Sequence, residues 1–323
     1  MQTQVDNGGP RSKRVSGMVS RYGTVIGFIA IFSLFSALCP SFATLSNFLT
    51  VLKQMTILSL MSLAATCVLI EGGFDLSIGA CVGLGAVLAC GMQQDGHGLA
   101  MALLLTLIVG AAVGLVNAVN IVHFAMPPFV ATMAMMFVLQ GAELLYSKGK
   151  VITRGITDAY KFLGQGWIGP IPTLVVVLLA CSAVTHILLS ATKLGRYAYA
   201  IGGNREAVRL SGVPVTRYRV ILYVVSGVLA AAGGIMLGAR LGSAPVWAGQ
   251  KLTLPAYAAA YLGSTMLAEG DLTVTGTIVG TLFISGLNNG LTLLGYGWYW
   301  QQILLGIILL VCVSVSGMRQ RRS

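Results

Sequence analysis

The sequence predicts an all-α, polytopic helical membrane protein of about ten transmembrane helices, and three observations carry that prediction. Hydrophobic residues make up 56% of the chain and charged residues only 9%, against roughly 25% charged in a soluble domain. Mean hydropathy is +0.85. Apolar runs recur with short breaks along nearly the whole chain, and a bilayer core about 30 Å thick needs roughly 20 apolar residues per helical span. The runs are continuous and rich in Leu, Ala, Gly and Val, whereas a β-barrel would show alternating segments of about 10 residues. Backbone polar groups in lipid must be satisfied within their own segment, so these runs are helices.

Taken in order, the spans fall near 22–39, 52–70, 76–92, 99–121, 127–145, 171–190, 218–240, 255–268, 272–292 and 300–317. They divide the chain into a tail over 1–21, a single transmembrane domain over 22–317 and a tail over 318–323. The first run follows basic residues and mimics a secretory leader. Many spans follow it and no small-x-small cleavage site is evident, so it reads as a retained helix. Cys39 follows Leu38, where a lipidated cysteine would follow a small residue. The expected address is therefore the bacterial plasma (inner) membrane, crossed many times.

The net charge of +11 does not point to nucleic acid, because the positive charges gather at particular span ends. Arg11, Lys13, Arg14 and Arg21 precede the first span, Lys193, Arg196, Arg205, Arg209, Arg217 and Arg219 lie in or beside the loop 191–217, and Arg319, Arg321 and Arg322 close the chain. The positive-inside rule places all three clusters, and hence both termini, in the cytoplasm. An even number of spans separates each cluster from the next, as shared sidedness requires. The same parity puts the loop 146–170 outside, although it carries Lys148, Lys150, Arg154 and Lys161 against Asp158.

Between the second and third spans the chain reads IEGGFDLSIGA, with Glu71 and Asp75 flanking Gly72 and Gly73. An ionised carboxylate at a helix centre costs about 2.5–3.5 kcal/mol on insertion scales, so the pair must sit at an interface or line a polar cavity. The glycines break the helix, and Asp75 is placed to cap the next one by accepting from amides near Ser77 and Ile78. Two readings stand: an ordinary interfacial cap, or a broken helix whose polar end faces a translocation path. AEGDLTVTG, with Glu269, Gly270, Asp271 and Leu272, echoes the pattern before a later span. Asn117, Asn120, Gln140, Asn288 and Asn289 lie within or near spans, where each wants a hydrogen-bond partner. Singly they read as interhelical glue. As a set they suit a path for a neutral, hydroxyl-rich solute, with Asp75, Ser77, Asn117, Asn288 and Asn289 as the candidate pathway residues. Gly79, Gly83, Gly91, Gly110, Gly114, Gly276, Gly280 and Gly290 are spaced for close helix packing.

No catalytic constellation emerges. His97, His123 and His186 are isolated, with no paired Cys/His spacing to hold a metal, so neither a metal nor any other cofactor is expected in this chain. The six cysteines lie in or beside spans without a CxxC pair and read as small buried apolar residues. There is no GxxxxGK[ST] phosphate loop. Any energy must come from an ion gradient or from ATP hydrolysed on a separate subunit.

Within the basic loop, Gly202 and Gly203 precede Asn204, which is placed to cap a short helix from about Arg205 to Ser211. Glu206 then sits in the first turn, where the helix dipole favours an anion. Gly212 suits a left-handed stop and Pro214 prevents resumption. Two turns of helix are marginal in water, so something holds this one. Anionic lipid attracts juxtamembrane basic residues by about 1 kcal/mol each; a protein groove could instead receive Ala207, Leu210 and Ser211.

GGFDLSIGA, GRYAYAIGGNREAVRLSGV and GLNNGLTLLG followed by YWQQI resemble the matching stretches of the membrane permease subunits of ribose-type sugar ABC importers. The resemblance runs from about Ser41 to the C-terminus. It implies an importer in which this chain joins a second permease subunit of the same or related sequence, a cytoplasmic ATPase and a periplasmic solute-binding protein to carry a small sugar. EAVRLSG, Glu206 to Gly212, is similar to the signature by which permeases dock on the ATPase, so the resemblance implies coupling residues Gly202, Gly203, Asn204, Arg205, Glu206, Ala207, Leu210, Ser211 and Gly212. The chain also departs from the pattern. Where these permeases often read ELDAIAAVVLGGTSLAGG it has TLPAYAAAYLGSTMLAEG, so that Thr253 and Pro255 replace two acids, Ser264 a glycine and Glu269 a glycine. The competing reading is a gradient-driven secondary sugar transporter, which would want ion-coordinating groups at mid-span.

Overall fold

The computed structural model describes residues 28–267 and 271–320. The predicted tail 1–21 with its four basic residues, the first residues of the first predicted span, Glu269, Arg321 and Arg322 lie outside the described residues. So do the side chains of Cys312 and Arg319. The five described cysteines are free thiols.

The helices are α1 (Phe28–Leu38), α2 (Leu45–Leu69), α3 (Ile78–Gln94), α4 (Leu99–Val122), α5 (Pro128–Ser147), α6 (Asp158–Gln165), α7 (Thr173–His186, continued by a π turn Ile187–Ala191), α8 (Lys193–Leu210), α9 (Val215–Leu241), α10 (Thr253–Leu267), α11 (Val274–Leu293) and α12 (Trp298–Gln320). Each predicted span has its helix. The main shift is α2, which starts at Leu45 because Thr44 caps it, accepting from the Asn47 amide at 3.3 Å. Among the described residues five helices, α2, α4, α5, α9 and α7 with its π turn, are long and apolar enough to cross a membrane on their own. The loop 146–170 is not structureless: it holds α6 and the first strand of a two-stranded ribbon, Trp167–Ile168, which pairs with Ile171–Pro172 just beyond it.

Two helices form the centre. From Met55 to Leu69 every residue of α2 is buried, its small hydroxyls included. Ser59 and Thr66 pair at 2.7 Å with Thr281 and Thr277 of α11, which supplies the partners that hydroxyls in hydrocarbon require. On α9 glycine permits backbone contact. The Gly227 carbonyl would lie 2.5 Å from any Cβ at Gly110 of α4, and Gly85 of α3 meets Gly234 and Ala231. Gly276 and Gly280 let α11 approach α10 at Gly263 and Ala259 in the same way. The outer faces of α4, α5, α7 and α12 expose Leu104, Ile108, Phe137, Leu145, Leu179 and Leu310, as a surface meant for lipid or another membrane subunit does.

α3 and α10 are short because both begin inside the bundle. Each follows an irregular segment, 70–77 and 242–252, that turns back into the interior, and the first turn of α3 at Gly79 abuts Gly249 and Thr253 at the start of α10. From there they run apart. α3 ends beside α6, where Gln93 accepts from the Thr157 amide and hydroxyl. α10 ends toward α8, whose Tyr199 hydroxyl donates to the Leu272 carbonyl just beyond it at 2.6 Å. The packing of α2–α5 recurs in α9–α12: α3 and α10 each lie against the next two helices of their own half and against the long first helix of the other. The repeat therefore matches α3 with α10. The AEGDLTV echo is a different feature, since α11 is capped by Thr273, which accepts from the Gly276 amide at 3.1 Å.

The bundle thus has two ends. One gathers the turn after α2, the α4–α5 turn, α8 and the start of α9, with Val68, Ala118, Ile121, Ala131 and Tyr223 packed together. The other gathers the ends of α3, α5 and α9 around α6, where the Tyr160 hydroxyl donates to the Ile235 carbonyl and Gln165 to the Arg240 carbonyl. The basic loop and 146–170 lie at opposite ends, as parity expects.

Candidate functional site

The site starts at α8, which is two helices joined at a bend. Asn204 leaves the helical region (φ −154°, ψ 95°) and its Oδ1 accepts from the Ala207 amide at 3.0 Å, capping a second helix that ends at Leu210. Gly212 has φ +78° and its amide donates to the Arg209 carbonyl at 3.0 Å, so the left-handed stop is where the sequence placed it. Glu206 accepts two hydrogen bonds from Arg209, Nε at 3.1 Å and Nη2 at 2.5 Å, and the contact holds its carboxyl below the usual carboxylate range. Leu210 is 77% exposed. A two-turn helix that presents its apolar residue and closes its charges on each other has a surface left for a partner.

This surface is tied to the interior. Gly202 packs so closely on the Ile70 carbonyl that no side chain would fit. Arg205, half exposed, reaches Glu71 at 3.7 Å, and Arg219 donates to the same Oε2 at 2.6 Å with the two side chains 7% and 0% exposed. Arg219 is therefore held in the bundle and is not a lipid-facing charge. Glu71, which the sequence shows only as an acid beside a glycine break, joins the loop to the turn after α2.

From Glu71 the chain continues inward through Gly72 (φ +78°) to Asp75, and side chains from several helices satisfy its backbone. The Asp75 amide donates to the Tyr257 hydroxyl at 2.8 Å, and that hydroxyl donates back to the Asp75 carbonyl at 2.8 Å. Tyr257 also stacks on Phe74. The Leu76 amide donates to Thr132 Oγ1 at 3.0 Å and the Ser77 amide to Asp75 Oδ1 at 2.9 Å. Asp75 Oδ1 accepts further from Ser77 Oγ at 2.6 Å and Asn117 Nδ2 at 3.4 Å. This accounting is what lets irregular backbone exist at membrane depth. It also refines the expected cap: Asp75 accepts from Ser77 ahead of α3, not from amides inside it, and the Ile78 amide is not among its donors.

Of the five candidate pathway residues the structure brings together Asp75, Ser77 and Asn117. Asn288 and Asn289 belong elsewhere. Asn289 accepts from Asn47 at 2.9 Å, and the Asn288 carbonyl faces Gln301 of α12. Helical spacing on α11 could not reveal that the Asn289 side chain pairs with α2.

Two residues of the interior were missed from sequence. Tyr257 carried no signal beyond being a tyrosine in an apolar run. Glu143 did carry one, as a lone acid inside α5. It is fully buried, its Oε1 accepts from the Trp247 amide at 2.6 Å, and Trp247 has φ +61°. Glu143 thereby fastens the segment 242–252 in a conformation that costs roughly 1–3 kcal/mol for a bulky residue. Among the described residues no group of three or more His, Cys, Asp and Glu is placed to hold a metal.

The arrangement compares as follows with known proteins. The family model described as branched-chain amino acid transport system / permease component matches residues 47–313. The chain is 38% identical over 301 residues to the ribose import permease protein of Bacillus subtilis (strain 168), covering 93% of this chain and 94% of that one. It is 35% identical to the ribose import permease protein of Escherichia coli (strain K12) over 92% of this chain and 94% of the relative. It is 32% identical to the galactose/methyl galactoside import permease protein of Haemophilus influenzae over 87% and 89%. No solved structure matches.

Proposed function

Because the chain belongs to the branched-chain amino acid transport system / permease component family, we propose that it forms the membrane pathway of an importer driven by ATP hydrolysed on a separate cytoplasmic subunit. The solute is a monosaccharide or similar polyhydroxylated molecule, as the names of the ribose and galactose permeases support, delivered by a periplasmic binding protein to a pair of permease subunits in the bacterial inner membrane. Both termini and the basic loop face the cytoplasm. A gradient-driven carrier is disfavoured because Asp75 is occupied by Ser77 and Asn117 and Glu71 by two arginines, leaving neither free to cycle an ion.

The observation that carries this reading is the capped helix Arg205–Leu210, exposed at its tip and linked at its root to Glu71. A push on the helix passes through Arg205 to Glu71, which Arg219 of α9 also holds, and along Gly72–Phe74 to the point where Asp75 is clamped by Tyr257 at the start of α10. The two inward-starting helices then feel a motion that originates outside the bundle.

Gly212→Val tests it. No atom lies within 4 Å of a Cβ placed there, so the variant adds only left-handed backbone strain of about 1–2 kcal/mol in an exposed turn. Membrane yield should stay normal, while ATP-driven uptake and co-purification of the ATPase should be lost. Normal uptake with the ATPase still bound would remove the docking role.

A further inference from the structure

A cavity of about 460 Å³ opens at the start of α10, lined by Gln250, Lys251, Leu254, Pro255, Trp298 and Gln302. Its size falls within the roughly 300–1,000 Å³ of small-molecule sites. None of these residues takes part in the coupling path. The segment carrying Gln250 and Lys251 is held from behind, by Glu143 on the Trp247 amide and by Gly249 wedged against Gly79 and Gly83 of α3. The lining is thus a supported surface and not a loose loop.

The lining has a definite chemistry. Gln250 Nε2 is buried with no hydrogen-bond partner among the described residues, a condition that costs free energy unless something supplies an acceptor. The two adjacent glutamines of α12 are used differently. Gln301 turns to α11, donating to Thr292 Oγ1 at 3.1 Å, while Gln302 lines the cavity. Trp298 is 74% exposed and gives the cavity an aromatic wall. Lys251 has no carboxylate within ion-pair distance among the described residues, and no acid lines the cavity. An aromatic face, two amides and one ammonium match a ring that has an apolar C–H side and a rim of hydroxyls. A branched aliphatic amino acid would place its carboxylate on the ammonium and an amide, but its side chain offers the Trp298 end of the cavity no rim of hydroxyls.

We propose that this cavity is a solute subsite that takes a monosaccharide ring, with the ring's C–H face on Trp298 and its hydroxyls paired with Gln250, Gln302 and Lys251. The proposal rests on the reading of the chain as a sugar permease and names where that sugar is first held within it. The start of α12 and the end of α11 lie at the bundle end that carries 146–170, the side from which a binding protein would deliver, so the subsite precedes the Asp75 cluster along the route.

Binding can be read apart from transport, with the full chain in nanodiscs and saturation-transfer NMR on D-ribose, D-galactose, D-xylose, L-arabinose and L-leucine. At least one sugar should receive saturation and leucine should not. Gln250→Leu and Trp298→Leu should each weaken that sugar roughly fivefold or more, as loss of one contact does, while Trp298→Phe keeps most of it. All three variants should melt as the wild type does, since these side chains rim a space and support nothing. If Trp298 serves only to anchor the chain at the membrane surface, Trp298→Leu will bind the sugar normally, and the proposal falls. It falls equally if none of the four sugars, or leucine in preference to them, receives saturation. Sugar binding that meets these expectations without ATP-dependent uptake would instead overturn the functional reading and leave the subsite standing.

Discussion

Replacing Arg219 by Met tests whether the Glu71 ion pair holds the coupling loop to the bundle. At 2.6 Å and an effective dielectric of about 20, the two charges attract by about 6 kcal/mol, and desolvating both ions offsets several kcal/mol of that. The pair is therefore near neutral as a unit, yet removing one member leaves the other buried and alone, at about 3–5 kcal/mol. Arg205 cannot compensate. It stands 3.7 Å away and its side chain is 49% exposed, which limits it to about 1 kcal/mol or less. At roughly 2 °C per kcal/mol for a large chain, Arg219→Met should lower the melting temperature in nanodiscs by about 6–10 °C. The double variant Glu71→Leu/Arg219→Met removes both charges and should recover most of that fall, because the uncompensated ion is gone. Uptake should not recover with stability, since losing Glu71 also removes the Arg205 contact that links α8 to the turn after α2. An Arg219→Met protein that melts like the wild type would refute the reasoning, and so would a double variant that transports normally.

Other outcomes follow from the same geometry. Asp75→Asn keeps an oxygen for Ser77 and Asn117 and should fold and retain partial uptake. Asp75→Leu strands the Ser77 amide in the interior and should lose about 1–3 kcal/mol together with transport; normal uptake by the Leu variant would end its pathway role. Glu143→Gln preserves an acceptor for the Trp247 amide without a charge to bury, so it should melt at or above the wild type, whereas Glu143→Leu should melt lower and show faster proteolysis within 243–252. Cysteine labelling from outside, in a Cys-less background, should reach positions in 150–160 and not in 203–211; the reverse pattern would invert the orientation.

How much was legible follows from range. Most membrane helices could be placed within a few residues because apolar run length is a local quantity, whereas the polar helices α6 and the first part of α8, and the early start of α2 at Leu45, carry no such signal. The cap at Asn204 and the stop at Gly212 were legible for the same reason, each depending on a handful of neighbours. Arg219 and Glu71 stand 148 positions apart, and no spacing rule links them, so the sequence offered Arg219 as one more positive charge and Glu71 as an unexplained acid. The partner of Asn289 was not legible, because an amide in a span signals that it needs a partner without saying which helix supplies it. The interior start of α3 was legible as one of two readings, a helix broken at Gly72 and Gly73, while that of α10 left only the shortness of the run 255–268 and its opening Pro255, and short interrupted runs in corresponding halves mark such helices.

The shortness of α3 and α10 also bears on how the chain is built. With 17 and 15 residues both sit at or below the short end of the roughly 17–25 that let a helix span the bilayer, and the irregular segments ahead of them present amides that lipid cannot satisfy. The partners that quiet those amides are made later or elsewhere: Asp75 waits for Tyr257, and Trp247 needs Glu143 from the first half. The Leu76 and Ser77 amides find partners within the first half, so the contact that ties its completion to α10 is the one between Asp75 and Tyr257. A truncation after α7 should therefore leave the Asp75 amide without its Tyr257 partner and be degraded faster in the membrane than the full chain.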